Sequence, residues 1–491
     1  MMTSFATVST SVRSPGRESS RLDYLDATRA FALVIGVVFH ASLSFMPVFM
    51  GWAVQDVSTS PLIEKFMMIS HSFRMETFFL LAGFLGHLTF HRKGAVDFIR
   101  TRALRIAVPF IVGWFLLHPL LVSGWIMGSM SLRGDVNVLT GLRGGFQSLS
   151  TLPSGIFTGS HLWFLYYLSM ITALTLVVRG LTTATGSWHV RMVRRADVVI
   201  GWLENSPVTV VILAIPTAAA MCFMPSWGMD TPDRSLLPNV PVLVLYGGFF
   251  GLGWLLDRQR ELISRLTRLT PQRWILAGLG MAVMILLGSI ERDPAHPYRV
   301  AAHVAYALGY AVTMWSLVFL TIGVFQKLCQ KPKVFVRYVA DSSYWMYLIH
   351  LPMVIWLQVA VAELPLHWSL KLALISTVTI TIALLTYDLF VRSTCIGWLL
   401  NGRRRDRVMA PMVLKAVRHL CFSLRLTHRD GGEEVVMEQR GTKPERPGAS
   451  RSRSGAGIAG GRRRMIDARG WTKKFDEDRF QRVGPDLIAF H

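Results

Sequence analysis

Long apolar runs alternate with short polar segments along most of this chain. Runs of about 17–25 residues, the length that crosses a bilayer as an α-helix, recur about ten times. We place them at residues 29–48, 68–90, 106–127, 162–182, 207–224, 240–256, 273–290, 300–326, 338–360 and 369–392. The pattern predicts an all-α, polytopic membrane protein with about ten transmembrane helices.

Positive charge is concentrated in every second connection between these runs. Arg and Lys cluster before the first run and after the second, fourth, sixth and eighth runs, whereas the intervening connections contain few cations or mix both signs. Because cytoplasmic connections of membrane proteins carry an excess of Lys and Arg, this distribution predicts that both termini are cytoplasmic.

Composition supports the same class and divides the chain into three parts. Only 17% of the 491 residues are charged, against about 25% in soluble domains, although the formal net charge is +22. Membrane orientation accounts for that charge, so we expect a lipid bilayer and no nucleic acid as a partner. We predict a cytoplasmic segment 1–28, a transmembrane domain 29–395 and a basic, disordered cytoplasmic tail 396–491.

The first run carries two polar side chains on one face. Arg29 lies at its start and His40 eleven residues later, which is close to three full helical turns. The two are therefore about 16 Å apart along the axis, with the imidazole near the middle of the bilayer. In one interpretation, Arg29 is an interfacial anchor and His40 only bonds a neighbouring helix. In the other, His40 is catalytic, because an ionisable group at this depth is costly and usually has a function.

Further polar side chains occupy the runs at 68–90, 162–182 and 338–360. Arg74 and Glu76 are two residues apart and cannot share a helix face, so each needs a partner on another helix or on a substrate. His161 and Trp163 suit either an aromatic belt at the membrane surface or a sugar-binding mouth. His350 supplies a second imidazole near the expected depth of His40.

A pair of arginines precedes the third run. Arg102 and Arg105 are three residues apart, so they share one face and could hold phosphate groups through forked hydrogen bonds. Ordinary anchoring on the cytoplasmic side is the alternative. No Walker A sequence and no metal-spaced His/Cys cluster occurs, and we predict neither a metal site nor a permanently bound cofactor.

Four short motifs occur in order along the runs: Arg29 with His40, the segment 78–84, Arg102 with Arg105 and Pro109, and Tyr347 with His350 and Pro352. Together they resemble the membrane acyltransferase 3 family over residues 21–395. The sequence around Arg29 and at 71–76 is more similar to the branch that modifies glucans. Ala82 stands where the family commonly has Ser, which leaves no role for that hydroxyl here.

The resemblance implies a multi-pass enzyme of the bacterial inner membrane. Such an enzyme would transfer an acyl group from cytoplasmic acyl-CoA, a co-substrate, to hydroxyls of an acceptor outside the cytoplasm. In the glucan branch the donor is similar to succinyl-CoA and the acceptor is a periplasmic glucan.

The candidate site residues then take separate roles. His40 is the expected catalytic residue, either as a general base on the acceptor hydroxyl or through an acyl-imidazole intermediate. Three arginines would hold the CoA phosphates: Arg29, Arg102 and Arg105. Five residues would bind acceptor and acyl group: Arg74, Glu76, His161, Trp163 and His350.

Two other functions are compatible with the sequence. A transporter or flippase of a sugar or acylated substrate would also bury polar groups among about ten helices, although no repeat halves are evident. An O-acetyltransferase of another cell-envelope glycan is the second alternative.

Overall fold

A computed structural model describes residues 23–131, 134–150, 160–224, 228–232, 236–293, 295–331 and 333–408. All regular secondary structure in these ranges is helical, which confirms the predicted all-α class. The helices are α1 Asp23–Ser42, α2 Pro61–His71, α3 Arg74–Lys93, α4 Ala95–Arg102, α5 Val108–Ser131, α6 Val138–Gln147, α7 Trp163–Ala184, α8 Ser187–Asn205, α9 Thr209–Met221, α10 Val240–Leu256, α11 Arg260–Leu266, α12 Pro271–Arg292, α13 Arg299–Leu328, α14 Val334–Val361, α15 Trp368–Thr386 and α16 Cys395–Asn401.

Eight helical segments of the described chain are long and apolar enough to cross a membrane. They are Asp23–Phe45, Ala95–Ser131, Trp163–Ala184, Val240–Leu266, Pro271–Arg292, Arg299–Leu328, Val334–Val361 and Trp368–Val391. The protein is therefore a polytopic membrane protein, as predicted.

The predicted run 207–224 does not form a straight span. Helix α9 covers only Thr209–Met221, which is too short to cross a bilayer alone. The preceding segment, interpreted from its arginines as a connection, is the helix α8, and the two meet at 118°. The two helices together form one further membrane span only if a span may be broken at this bend. The bend was not predicted because hydropathy depends on composition and contains no information on helix direction.

The predicted run 68–90 is also interrupted. Helix α2 ends at His71 and α3 begins at Arg74, so the polar residues mark a helix boundary. Helix α3 nevertheless lies inside the bundle, packed between α1 and α10. Gly83 and Gly253 permit this contact, since a Cβ at either position would overlap a backbone carbonyl of the facing helix.

Helix α1 occupies the centre of the bundle. It packs against α2, α3, α13, α14 and α15, and α14 packs in turn against α5. Because α1 is surrounded, its polar side chains face other helices and not lipid. The face that carries Arg29 and His40 therefore lies against other helices, with Arg29 partly exposed at its basic end.

The two ends of the bundle differ in charge. We call the end that carries Arg29, Arg102, Arg105 and Arg403 the basic end, and the end that carries the 46–60 segment and residues 362–367 the opposite end. The distribution of loop charges predicts that the basic end is cytoplasmic.

The structure describes the first part of the predicted tail, residues 396–408. Helix α16 and residues 402–407 pack on the membrane domain, where Arg403 and Arg405 pair with Asp341 and the Asn401 amide donates to the Asp341 carbonyl at 3.0 Å. The rest of the predicted tail, residues 409–491, and the predicted N-terminal segment up to residue 22 lie outside the described residues.

Candidate functional site

A cavity of about 390 Å³ opens at the basic end, and we call it the arginine cavity. Its walls come from α1, α3, the end of α4, α7, α14, α16 and the π-helical turn Ala103–Ala107 before α5. Four arginines line it: Arg29, Arg102, Arg105 and Arg403. Deeper in the bundle the lining is apolar and aromatic, with Phe78, Phe164, Tyr344 and Tyr347. The cavity therefore combines a cationic mouth with an apolar interior.

The arginines of the mouth are held by neighbouring backbone and acids. The Arg29 guanidinium donates to the Ala340 carbonyl at 2.8 Å and pairs with Asp26 at 3.2 Å. The Arg102 guanidinium lies 5.2 Å from the centre of the Phe98 ring. The Tyr344 hydroxyl donates to the Arg105 carbonyl at 2.5 Å. These contacts use only some of the guanidinium N–H donors, because each guanidinium carries five.

Three histidines, from α1, the 3-10 turn Ser160–Leu162 before α7, and α14, meet deeper in the bundle. The His350 ring is 5.4 Å from that of His40 and 5.9 Å from that of His161, centre to centre. His350 Nδ1 lies 2.7 Å from the Tyr347 carbonyl and must donate, so its Nε2 is the acceptor nitrogen of the neutral ring. His161 Nε2 likewise donates to the Leu348 carbonyl at 2.9 Å. The structure thus brings His40, His161 and His350 together, whereas the sequence analysis placed only His350 near the depth of His40.

His40 is oriented by contacts that the sequence analysis missed. The indole of Trp52 stacks on its ring, with centres 5.8 Å apart and planes at 21°. The amide of Gln358 donates to the His40 carbonyl at 2.9 Å and accepts from Trp52 Nε1 at 2.9 Å. Gln358 is almost wholly buried, and as a lone amide in the run 338–360 it was detectable, whereas nothing local relates Trp52 to His40.

The 46–60 segment that carries Trp52 is firmly anchored. Lys371 Nζ and the Asp56 carboxylate form an ion pair of 2.7 Å, and both side chains are essentially unexposed. The Asp56 amide also donates to the Ser44 carbonyl at 2.9 Å. Gly128 of α5 lies so close to the Ala53 carbonyl that a Cβ there would overlap it. The segment therefore holds the indole over His40 as a fixed strap.

Arg74 and Glu76 lie buried beside this cluster without pairing with each other. The Arg74 guanidinium stacks 4.2 Å over the Phe39 ring and passes within ordinary contact distance of the Cβ position of Gly36, one turn before His40. Its Nε and Nη1, and both carboxylate oxygens of Glu76, have no hydrogen-bond partner among the described residues. His40 Nδ1 is unpartnered in the same sense. Buried groups in this state are costly, which is typical of a binding site rather than of a structural ion pair.

Trp163 does not occupy an exposed mouth. Its ring is buried, stacked on Tyr246 with centres 5.7 Å apart and edge-on to Tyr167. The structure therefore places it in the packing of α7 against α10 and not at a surface where a sugar could stack. The sequence analysis suggested a position at the membrane surface or at a sugar-binding mouth, but Trp163 contacts Tyr246 whereas His161 contacts the Leu348 carbonyl.

An aromatic layer connects the arginine cavity with the histidines. Tyr347 lines the cavity, and its hydroxyl donates to the His161 carbonyl at 2.7 Å. Phe164 lies 5.7 Å from Phe78 and 5.8 Å from Tyr347, centre to centre. Among the described residues, none of the three histidines lines the cavity itself. The cationic mouth and the histidine cluster are therefore separated by one layer of rings.

Comparison with known proteins agrees with the motifs. The family described as "Acyltransferase domain", acyltransferase 3, matches residues 22–388. Glucans biosynthesis protein C of Escherichia coli strain K12 is 23% identical over 407 residues, which cover 79% of this chain and 97% of that protein. Proteins of the same name from strains SMS-3-5 and O9:H4 (HS) show the same identity and coverage. No solved structure matches.

Proposed function

Because this chain belongs to the membrane acyltransferase 3 family and is therefore a membrane acyltransferase, we propose that it transfers an acyl group from acyl-CoA, bound at the basic end, to a hydroxyl of a glucan. The donor side is taken to be cytoplasmic and the acceptor side periplasmic, in a bacterial inner membrane. The observation that carries the proposal is the alignment of an arginine-lined cavity and a histidine cluster along one face of α1.

The arginine cavity is suited to the donor. Guanidinium groups bind phosphate through paired N–H donors, and Arg29, Arg102 and Arg105 stand together at its mouth. The apolar interior, with Phe78 and Phe164, would accept the pantetheine arm. The axial distance of about 16 Å from Arg29 to His40 matches the need to carry a thioester from the surface to the bundle centre.

His40 is the group proposed to move the proton. As a base it would take the proton of the acceptor hydroxyl, whose oxygen attacks the thioester carbonyl carbon. The carbon–sulfur bond then breaks, and the departing CoA thiolate recovers the proton from the imidazolium. In the alternative route the His40 nitrogen attacks the thioester carbonyl carbon and the carbon–sulfur bond breaks, which releases CoA thiolate and forms an acyl-imidazole. The acceptor oxygen then attacks the acyl carbon, the carbon–nitrogen bond breaks, and the hydroxyl proton passes to the released thiolate. His350 and His161 each commit one nitrogen to a backbone carbonyl, which suits them to positioning.

A dicarboxylic acyl group such as succinyl is favoured over acetyl. Arg74 Nε and Nη1 have no partner among the described residues, and the guanidinium lies beside Gly36, one helical turn before His40, where the free carboxylate of a succinyl thioester would reach. An acetyl group offers nothing to pair with this cation. The glucan acceptor is proposed from the name of the E. coli relatives, glucans biosynthesis protein C.

The test is transfer by purified protein in lipid vesicles. His40→Ala should lower the release of CoA thiol and the formation of acylated glucan by about 10²–10⁴-fold, the usual contribution of a general base. Mass spectrometry of the glucan identifies the added group. His303→Ala is the matched control, because His303 is also half-buried in a membrane helix but pairs with Glu291, and it should keep full activity. Normal transfer by the His40 variant would remove the proposed mechanism, and transport without thiol release would favour the flippase alternative.

A further inference from the structure

A second cavity, of about 450 Å³, adjoins the arginine cavity at the basic end, and we call it the side cavity. It lies between α4 and α16. Its polar lining includes Lys93, Asp97, Arg100 and Arg105, and Trp398 provides an indole that is about half exposed. Helix α4 directs Asp97 and Arg100 to this side because they are three residues apart, while Phe98 is buried in the bundle. The cavity is thus cationic, with one flat apolar wall.

Arg105 belongs to both cavities and forms the wall between them. Its guanidinium occupies the space that a Cβ of residue 402 would need. Gly402 provides this space and also adopts the left-handed conformation, φ 74°, that ends α16. The two cavities therefore form one continuous cationic surface, with the Arg105 guanidinium between them.

The combination of groups indicates the class of ligand. Lys93 and Arg100 are suited to a phosphate, and an exposed indole is suited to stacking on a flat heterocycle. A ligand that fills both cavities must be long, with a phosphorylated ring at one end and a narrow arm at the other. Acyl-CoA has this form, with a 3′-phosphorylated adenosine joined through a diphosphate to pantetheine.

We propose that the side cavity binds the 3′-phosphoadenosine end of the CoA donor. Lys93 and Arg100 contact the ribose phosphate, Trp398 stacks on the adenine, and Arg105 contacts the diphosphate where the ligand passes into the arginine cavity. This inference rests on the proposed function. The phosphate of an anionic lipid headgroup presents the same chemistry at the same membrane surface, and the experiment must separate the two sources.

The experiment compares two donors that differ by one phosphate. Acyl-CoA and its 3′-dephospho form are supplied to the vesicle-reconstituted protein, and KM and kcat are measured for each. The double variant Lys93→Gln/Arg100→Gln should raise KM for acyl-CoA by about tenfold or more, with kcat unchanged, since charge-assisted hydrogen bonds to phosphate are lost. KM for the dephospho donor should stay the same, which also shows that the variant is folded.

Two further variants sharpen the assignment. Arg92→Gln removes an exposed neighbouring cation that does not line the side cavity, and both KM values should stay at the wild-type level. Trp398→Leu should raise KM for both donors by the same factor, since both carry adenine, and should leave acyl-pantetheine unaffected. An equal rise in KM for acyl-CoA, 3′-dephospho-acyl-CoA and acyl-pantetheine would exclude stacking of Trp398 on adenine.

The proposal is overturned if the double variant raises both KM values equally, or if its effect disappears in vesicles without anionic lipid. The latter result assigns the cavity to lipid headgroups. Calorimetric binding of CoA and 3′-dephospho-CoA is measured alongside. The side-cavity assignment stands if wild-type protein binds CoA more tightly than 3′-dephospho-CoA and the double variant binds the two equally. If this result is found but no transfer occurs, the proposed reaction fails while the assignment of the cavity is kept.

Discussion

The basic end and the histidine cluster satisfy their polar groups to different extents. At the basic end, the Arg29 guanidinium has Asp26 and a backbone carbonyl as partners, although its Nε has none among the described residues, and Arg403 and Arg405 share Asp341. In and beside the histidine cluster, Arg74 Nε and Nη1, both carboxylate oxygens of Glu76 and His40 Nδ1 have no partner in the described part of the chain. A charge near water keeps part of its solvation, whereas a buried one has only what the protein or a ligand supplies.

This difference predicts how variants of the two regions will behave. If the proposed function holds, a residue at the basic end would bind the donor equally before and during reaction, so its loss should appear mainly in KM. A residue in the cluster would contact the reacting groups with no water to replace it, so its loss should appear mainly in kcat or in substrate choice. Substitutions at Arg74, Trp52 and Arg102 test this division between effects on KM and effects on kcat, in addition to the His40 variant.

The largest effect after His40 is expected at Arg74. Arg74→Gln should lower kcat/KM for succinyl-CoA by about 10–100-fold, because a charge-assisted pair with the acyl carboxylate is lost. Acetyl-CoA should be used as well as by the wild type. The measurement is thiol release with each donor.

Arg273→Gln provides the control, because Arg273 also lies over a phenylalanine ring, 5.6 Å from the centre of Phe319, but on another part of the bundle. An equal loss with succinyl and acetyl donors in the Arg74 variant would mean that the arginine supports the fold and does not select the acyl group.

An intermediate effect is expected at Trp52. Trp52→Ala should lower kcat by about tenfold, since a misplaced base loses part of its catalytic effect, while KM for the donor stays constant. Trp52→Phe should recover part of the loss because stacking on His40 is kept and only the hydrogen bond to Gln358 is removed. Steady-state kinetics at varied donor and acceptor concentrations measure kcat and the KM for each substrate separately.

Trp188→Ala removes an exposed indole of α8 and should be without effect. A change in donor KM in the Trp52 variants would contradict the division between the two regions.

The smallest effect is expected at Arg102. Arg102→Gln should raise KM for acyl-CoA by about three- to tenfold with kcat unchanged, and the difference from wild type should shrink at high salt. Initial rates at low and high ionic strength measure this. Arg404→Gln alters an exposed cation beside the arginine cavity that does not line it, and its KM should match the wild type. A fall in kcat without a change in KM would contradict the assignment of Arg102 to donor binding at the basic end.

Periodicity along single helices was a reliable guide to parts of the site. Arg29 and His40 share a face of α1 because a helix repeats every 3.6 residues, and the arginine cavity and the histidine cluster lie along that face. Arg102 and Arg105 line one cavity as their spacing predicts, although a π-helical turn follows Arg102. The all-helical class and most of the spans followed from apolar run length in the same way.

Contacts between distant parts of the chain were not predictable. Trp52 and Gln358 are 306 residues apart, and only the packing of the 46–60 segment over α14 brings the indole to His40. The return of α16 and residues 402–407 to Asp341 likewise converts the start of the predicted tail into a wall of the arginine cavity. A hydropathy pattern contains no information on either event.

The sequence by itself determined that this chain is a helical membrane protein with a polar face on α1, since lipid requires long apolar helices and admits buried charge only at a cost. Only the tertiary structure decided which polar groups meet. It brings His40, His161 and His350 together from α1, the turn before α7 and α14, and it stacks Trp52 on His40. It also leaves Arg74 and Glu76 beside them without hydrogen-bond partners among the described residues, and it packs Trp163 between α7 and α10. Those outcomes depend on helix direction, bends and close glycine contacts, which arise from many distant residues at once.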